Sequence, residues 1–103
     1  MCGGNFSQTA LHDAADEGHC GVIDELLNSK ADVNAKDSSG CTPLDWSALK
    51  GLRDAVILLL NNGADVNICD GIYNRTALHY AAFGGHCGVI EELLNRKAQS
   101  KFL

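Results

Sequence analysis

The sequence predicts an all-α repeat protein, a solenoid built from three helix-turn-helix units. The segment Thr-Ala-Leu-His at 9–12 recurs as Thr-Pro-Leu-Asp at 42–45 and again as Thr-Ala-Leu-His at 76–79. The steps between these segments are 33 and 34 residues, and self-similarity at such a period is the signature of a repeat architecture. A glycine and an Ala-Asp-Val-Asn segment keep the same frame, at Gly18, Gly51 and Gly85 and at 31–34 and 64–67.

The 103 residues fall within the size of one domain, and a hydrophobic content of 46% is enough for a modest continuous core. We therefore predict a single domain over 1–103, with repeats at about 5–37, 38–70 and 71–103. Residues 18–28 and 85–95 differ only at Asp24 and Glu91, so the first and third repeats resemble an internal duplication.

Each repeat carries start and stop signals for a short helix. Thr9, Thr42 and Thr76 are suitable N-caps, and Pro43 fits the first helical position. These signals predict helices at 10–17, 43–50 and 77–84, each ended by the aligned glycine. A second, leucine-rich helix follows two or three residues later, and we expect Gly63 to end it in the second repeat. Helices this short are marginal in isolation, so stacking must stabilise them.

Composition excludes several classes of function. The formal net charge of −5 argues against non-specific binding to nucleic acid or to anionic membranes. No apolar run approaches the roughly 20 residues of a transmembrane helix, and the N-terminus lacks the pattern of a signal peptide. Five cysteines without a CxxC pair suggest neither a disulfide framework nor a zinc site. We expect an intracellular protein, cytoplasmic or nuclear.

The Thr-Pro-Leu start, the central Gly-His, the leucine-rich second helix and the Gly-Ala-Asp-Val-Asn exit resemble ankyrin repeats over residues 5–98. The resemblance implies antiparallel helix pairs joined by projecting hairpin fingers. It also implies a non-catalytic module that binds another protein through its inner-helix face and finger tips. The second repeat departs from the pattern, because Asp45 replaces the histidine that in this family bonds to a neighbouring finger.

The family's recognition positions can be transferred onto this chain residue by residue. They predict an acidic first third of the inner-helix face, an aromatic and apolar remainder, and a protruding third finger. The partner-binding residues are then Asp13, Asp16, Glu17, Trp46, Leu49, Lys50, Tyr80 and Phe83, with Ile72 and Tyr73 on the finger. We expect a partner with a basic or apolar segment, because large apolar side chains dominate interface energetics.

The alternative for the aromatic residues is that they pack between repeats. We expect Trp46 and Phe83 to be exposed, because both share a repeat frame with aspartates, which are hard to bury unpaired.

Catalytic, cofactor and metal sites are not predicted. Adjacent residues on a helix point about 100° apart, so His19-Cys20 and His86-Cys87 do not form thiol–imidazole pairs. His12 and His79 are interpreted as structural residues that bond across to the fingers. No phosphate-binding loop or catalytic triad is present in the sequence.

Two other hypotheses compete with the partner-binding one. The first is that the chain is an excised piece of a longer array, or a constructed scaffold, and has no natural partner. Alternatively, the spacing of Asn34 and Asn67 from upstream leucines resembles sites for an asparaginyl hydroxylase, although turn stabilisation explains both residues more simply. In solution we expect a monomer whose exposed aromatics permit weak self-association.

Overall fold

The computed structural model describes residues 10–37, 40–68 and 75–95, and this part of the chain contains six α-helices and no strand. The inner helices have the predicted bounds, and each is followed by an outer helix. In chain order the helices are α1 (Ala10–Glu17), α2 (Cys20–Asn28), α3 (Pro43–Lys50), α4 (Arg53–Asn61), α5 (Ala77–Gly84) and α6 (Cys87–Leu93). The prediction of three helix-turn-helix units is confirmed.

The inner helices begin at caps that the sequence encodes locally. At the start of α3, the Asp45 amide donates to Thr42 Oγ1 over 3.3 Å, and the Thr42 amide donates to Asp45 Oδ2 over 3.1 Å. This reciprocal capping box satisfies two amides that the helix itself leaves unpaired. Asp45 thus has a capping role in place of the histidine bond, and its negative charge suits the helix N-terminus.

The aligned glycines end the inner helices. Gly18, Gly51 and Gly85 adopt φ values of 76°, 72° and 73°, a left-handed conformation that glycine reaches without steric cost. The prediction for Gly63 is confirmed. It follows the Asn62 cap of α4 with φ 95°, and the Gly63 and Ala64 amides donate to the Leu60 and Leu59 carbonyl oxygens, which is the left-handed helix stop also seen at Gly51.

Stacking of the repeats forms the core. Helix α3 packs between α1 and α5, and α4 packs between α2 and α6. The core contains one or two large aliphatic residues from nearly every helix, each no more than 1% exposed. These are Leu11, Ile23, Leu44, Val56, Leu59, Val89 and Leu93. The central repeat therefore contacts a neighbour on both sides.

Buried polar bonds also join the first two repeats. His12 is fully buried, and its Nε2 donates to the Cys41 carbonyl oxygen over 2.9 Å. The Ser47 hydroxyl donates to the Ala15 carbonyl oxygen over 3.1 Å. The structural role predicted for His12 is confirmed. His79 differs, since it is exposed and its Nδ1 accepts from the amide of Thr76 within the same repeat.

We predict that His12→Leu lowers the free energy of unfolding by about 2 kcal/mol, because a buried carbonyl loses its donor. His79→Leu is the matched control and is expected to cost less than about 1 kcal/mol, since the residue is exposed. Urea denaturation of both variants measures the difference. Equal losses would contradict the assigned importance of the bond between repeats.

Lys30 has a strained backbone that a single substitution can relieve. Its φ is 74°, at the position where the second repeat carries Gly63. The left-handed conformation costs a non-glycine residue about 1–2 kcal/mol, and the extra freedom of glycine in the unfolded chain offsets about half of that. Lys30→Gly should therefore raise the free energy of unfolding by about 0.5–1 kcal/mol. Ser29→Gly, at φ −91°, should lower it; a gain in both variants would refute the strain.

Candidate partner-binding surface

The predicted surface lies along α1, α3 and α5, and its acidic end is on α1. Asp13 and Glu17 are exposed, as the sequence predicted. Both carboxylates are on the first inner helix.

Asp16 was expected to extend this acidic end, but it is already paired within the array. Its Oδ1 is inaccessible to solvent and lies 2.9 Å from Nζ of Lys50 on α3. The pair raises the pKa of the Lys50 ammonium, first through the hydrogen bond to Asp16 and then through charge attraction. Asp16 and Lys50 therefore link adjacent repeats, and their contact with a partner stays a prediction.

Trp46 also forms a hydrogen bond within the protein. It is half-buried, and its Nε1 donates to Asp37 Oδ2 over 3.0 Å. The other carboxylate oxygen of Asp37 accepts from the Cys41 amide over 3.0 Å. The expectation that Trp46 is exposed was therefore wrong, because the ring braces the base of the finger that precedes α3.

Tyr80 forms the middle of the apolar part of the surface. It is half-buried against the core, and its hydroxyl lies 3.7 Å from Cys41 Sγ. The Arg75 guanidinium lies over the Tyr80 ring at 5.9 Å from its centre, within range of a cation–π interaction. Tyr80 therefore contacts both the preceding finger and Arg75.

Phe83 is the most exposed large apolar residue of the described chain, with 77% of its surface accessible. Its exposure is confirmed, and its repeat-frame equivalents are Asp16 and Leu49. Leu49 is half-buried, and its carbonyl oxygen accepts from His86 Nε2 over 3.0 Å. A phenylalanine exposed to this degree loses the free energy that burial would give, about 1.5–3 kcal/mol.

The predicted finger residues Ile72 and Tyr73 lie outside the described residues. The base of the preceding finger is described and carries two positioning residues, Asp37, which the sequence did not indicate, and Asn34, which it indicated as turn-stabilising. Asp37 holds Trp46, and Asn34 donates to the Gly63 carbonyl over 3.3 Å while accepting from the Asp65 amide over 2.8 Å. The signal for Asn34 was present, because Ala-Asp-Val-Asn recurs in the repeat frame. The amide proposed as a hydroxylation site thus joins two repeats.

Other chemistry finds little support in the described part of the chain. Within residues 10–37, 40–68 and 75–95, no three His, Cys, Asp or Glu side chains converge closely enough to hold a metal ion. Among the described residues, Cys20, Cys41 and Cys87 are not joined in disulfide bonds. None of the described helices has the length and apolar character needed to cross a lipid bilayer.

Comparison with known families agrees with this geometry. A family profile described as ankyrin repeats (3 copies) matches residues 2–70. The chain belongs to the ankyrin repeat family. A second profile, ankyrin repeats (many copies), matches residues 54–94, so the matches together reach the third repeat. Ankyrin repeats are in general protein-interaction modules.

The regions that resemble this ankyrin array are parts of much longer proteins. The array is 38% identical over 93 residues to the probable E3 ubiquitin-protein ligase XBOS31 of Oryza sativa, covering 90% of the chain and 21% of the relative. It is 37% identical to palmitoyltransferase Hip14 of Drosophila melanogaster, with 87% and 14% covered. Dauer abnormal formation protein 25 of Caenorhabditis elegans is 35% identical, with 91% and 27% covered. The chain thus spans about a quarter or less of these relatives.

The bond between Trp46 and Asp37 can be measured by a double-mutant cycle. Trp46→Phe and Asp37→Ala should show a coupling energy of about 1 kcal/mol, because each variant removes the same partly buried hydrogen bond. The matched control pairs Trp46→Phe with Asp24→Ala, at an exposed aspartate on α2, and should be additive. Additive losses in both cycles would show that the ring does not brace the finger.

Proposed function

We propose that this ankyrin array is a non-catalytic module that binds a partner protein through its inner-helix face and finger tips. The observation that carries the proposal is the exposure of Phe83 beside Tyr80. An aromatic side chain held in water at the end of a rigid helix is typical of interface residues that bury on binding. The acidic residues on α1 add a second point of contact.

The distance between the acidic and aromatic ends of the surface sets the length of partner segment that can reach both. Phe83 and Glu17 lie on α5 and α1, which are separated by α3. Packed helices are 8–10 Å apart, so the two ends are about 16–20 Å apart. An extended chain rises about 3.3 Å per residue. We therefore propose a partner segment whose basic and apolar anchors are separated by about five or six residues.

Internal pairing limits which residues take part. Asp16 and Lys50 neutralise each other, and Trp46 supports the finger. Among the described residues, partner contact is proposed for Asp13, Glu17 and Phe83, which are exposed, and for Leu49 and Tyr80, which are half-buried. Ile72 and Tyr73 remain proposed contacts on the finger. Charged groups at the rim are expected to affect the association rate and the salt dependence more than the final affinity.

The test is affinity capture with a variant that alters the surface without altering the core. Phe83→Ser should reduce capture of specific partners at least tenfold, corresponding to about 1.4 kcal/mol. Leu94→Ser is the matched control, because Leu94 is another exposed apolar residue, 39% accessible, but is not on an inner helix. Circular dichroism verifies that both variants are folded. Retention of every partner by Phe83→Ser would exclude the inner-helix face as the binding surface.

A further inference from the structure

The C-terminal end of α4 carries the residue pair that is most prone to spontaneous deamidation. Asn62-Gly63 is the single Asn-Gly pair of the chain, and Asn62 is exposed at the C-cap of the helix. Glycine is the residue that least hinders attack by its own amide nitrogen on the preceding asparagine, because it has no side chain. Gly63 is exposed too, and a Cβ placed on it would meet no atom of another described segment within 4 Å. Both reacting residues are therefore accessible to water.

We propose that Asn62 is a site of spontaneous deamidation, and that local opening of α4 controls the rate. In this reaction the Gly63 amide nitrogen forms a bond to Asn62 Cγ, and the bond between Cγ and Nδ2 breaks. Ammonia leaves with the proton that the Gly63 amide loses. Water then opens the succinimide ring at either of its carbonyl carbons, which gives aspartate or isoaspartate. Water is the only co-reactant.

The folded helix end keeps the reacting groups apart. At ψ 18° the Gly63 nitrogen nearly eclipses the backbone nitrogen of Asn62, whereas ring closure requires it to lie beside Cβ. The leaving group is bonded, since Asn62 Nδ2 donates to the Leu58 carbonyl oxygen over 2.8 Å. The attacking nitrogen donates to the Leu60 carbonyl oxygen over 3.1 Å. The ring therefore closes only after these bonds open, and helix ends open locally at a lower free energy than the whole domain.

Deamidation weakens the helix end and also the contact between the first two repeats. An aspartate at position 62 cannot donate to Leu58, and its charge is repelled by the C-terminal end of the helix dipole. Isoaspartate also routes the backbone through the former side chain, which adds one carbon before Gly63. The Gly63 carbonyl oxygen accepts from Asn34 Nδ2 in the first repeat over 3.3 Å, so the added length displaces this acceptor. The isoaspartate product is therefore less stable than the aspartate product.

Peptide mass spectrometry of the 103-residue protein tests the site and its control. The protein is incubated in warm, mildly alkaline buffer, folded in one sample and unfolded by guanidinium chloride in another, and conversion at each asparagine is followed with time. In denaturant Asn62 should convert fastest. In the folded protein its rate should be at least about tenfold lower, because only the open fraction reacts. Asn28, which precedes Ser29, is the internal comparison, and Asn62→Gln should abolish conversion at this position.

Asn62→Asp reproduces one product and isolates its effect on stability. Its midpoint of thermal unfolding should fall by about 4 °C, because the helix end loses a hydrogen bond and gains an unfavourable charge. Asn28→Asp is the matched control, since Asn28 is exposed at the last position of α2 and has no side-chain hydrogen bond to lose within the described chain. Its midpoint should fall less. Protein in which isoaspartate has formed should unfold at a lower temperature than Asn62→Asp.

Three results would overturn this proposal. Equal rates in the folded and unfolded samples would contradict control by opening of the helix, and an unreacted Asn62 in denaturant would exclude the site. Converted protein as stable as the freshly prepared protein would exclude the effect on the junction between repeats. None of these measurements depends on partner binding, so their failure leaves the proposed function unaffected.

Discussion

Burial between consecutive repeats is the constraint on which the rest of this structure depends. Helices of seven to nine residues cannot persist alone in water, and a single helix pair cannot cover its own apolar faces. The central repeat overcomes this limit by packing against a neighbour on each side. The His12–Cys41 and Ser47–Ala15 hydrogen bonds fix the register between the first two repeats, because each bond forms only when the two repeats are aligned in this way.

The fixed register determines which side chains remain for a partner. Adjacent inner helices are one packing distance apart, so oppositely charged neighbours such as Asp16 on α1 and Lys50 on α3 form an ion pair. The indole N–H of Trp46 is likewise bonded within the protein, to Asp37 at the base of the finger. What remains on the described surface is a pair of exposed acidic residues at one end and an exposed aromatic residue at the other. Stacking thus determines which side chains of the inner helices stay accessible to solvent.

Local signals made the fold predictable from sequence, whereas contacts between repeats limited the prediction of the site. The inner helices had the predicted bounds because Thr caps and left-handed glycines act within a few residues. The role of Trp46 was missed because its partner Asp37 approaches only when the finger folds back. The Asp16–Lys50 pair depends on the register between repeats, although its two residues occupy adjacent rows of the aligned sequence. The aspartate equivalents predicted exposure of both Trp46 and Phe83, and this held only for Phe83 because Trp46 bonds to the finger.

Site-specific photo-crosslinking tests the central claim most directly. A benzophenone amino acid replaces Phe83 in one sample and Leu94 in another, and irradiation is carried out in living cells. The stacked surface described above predicts crosslinks from position 83 to a protein other than the chain itself, with few or none from position 94. Crosslinks from position 94 alone, or none from position 83 in a folded and expressed protein, would contradict the assignment of the inner-helix face as the binding surface.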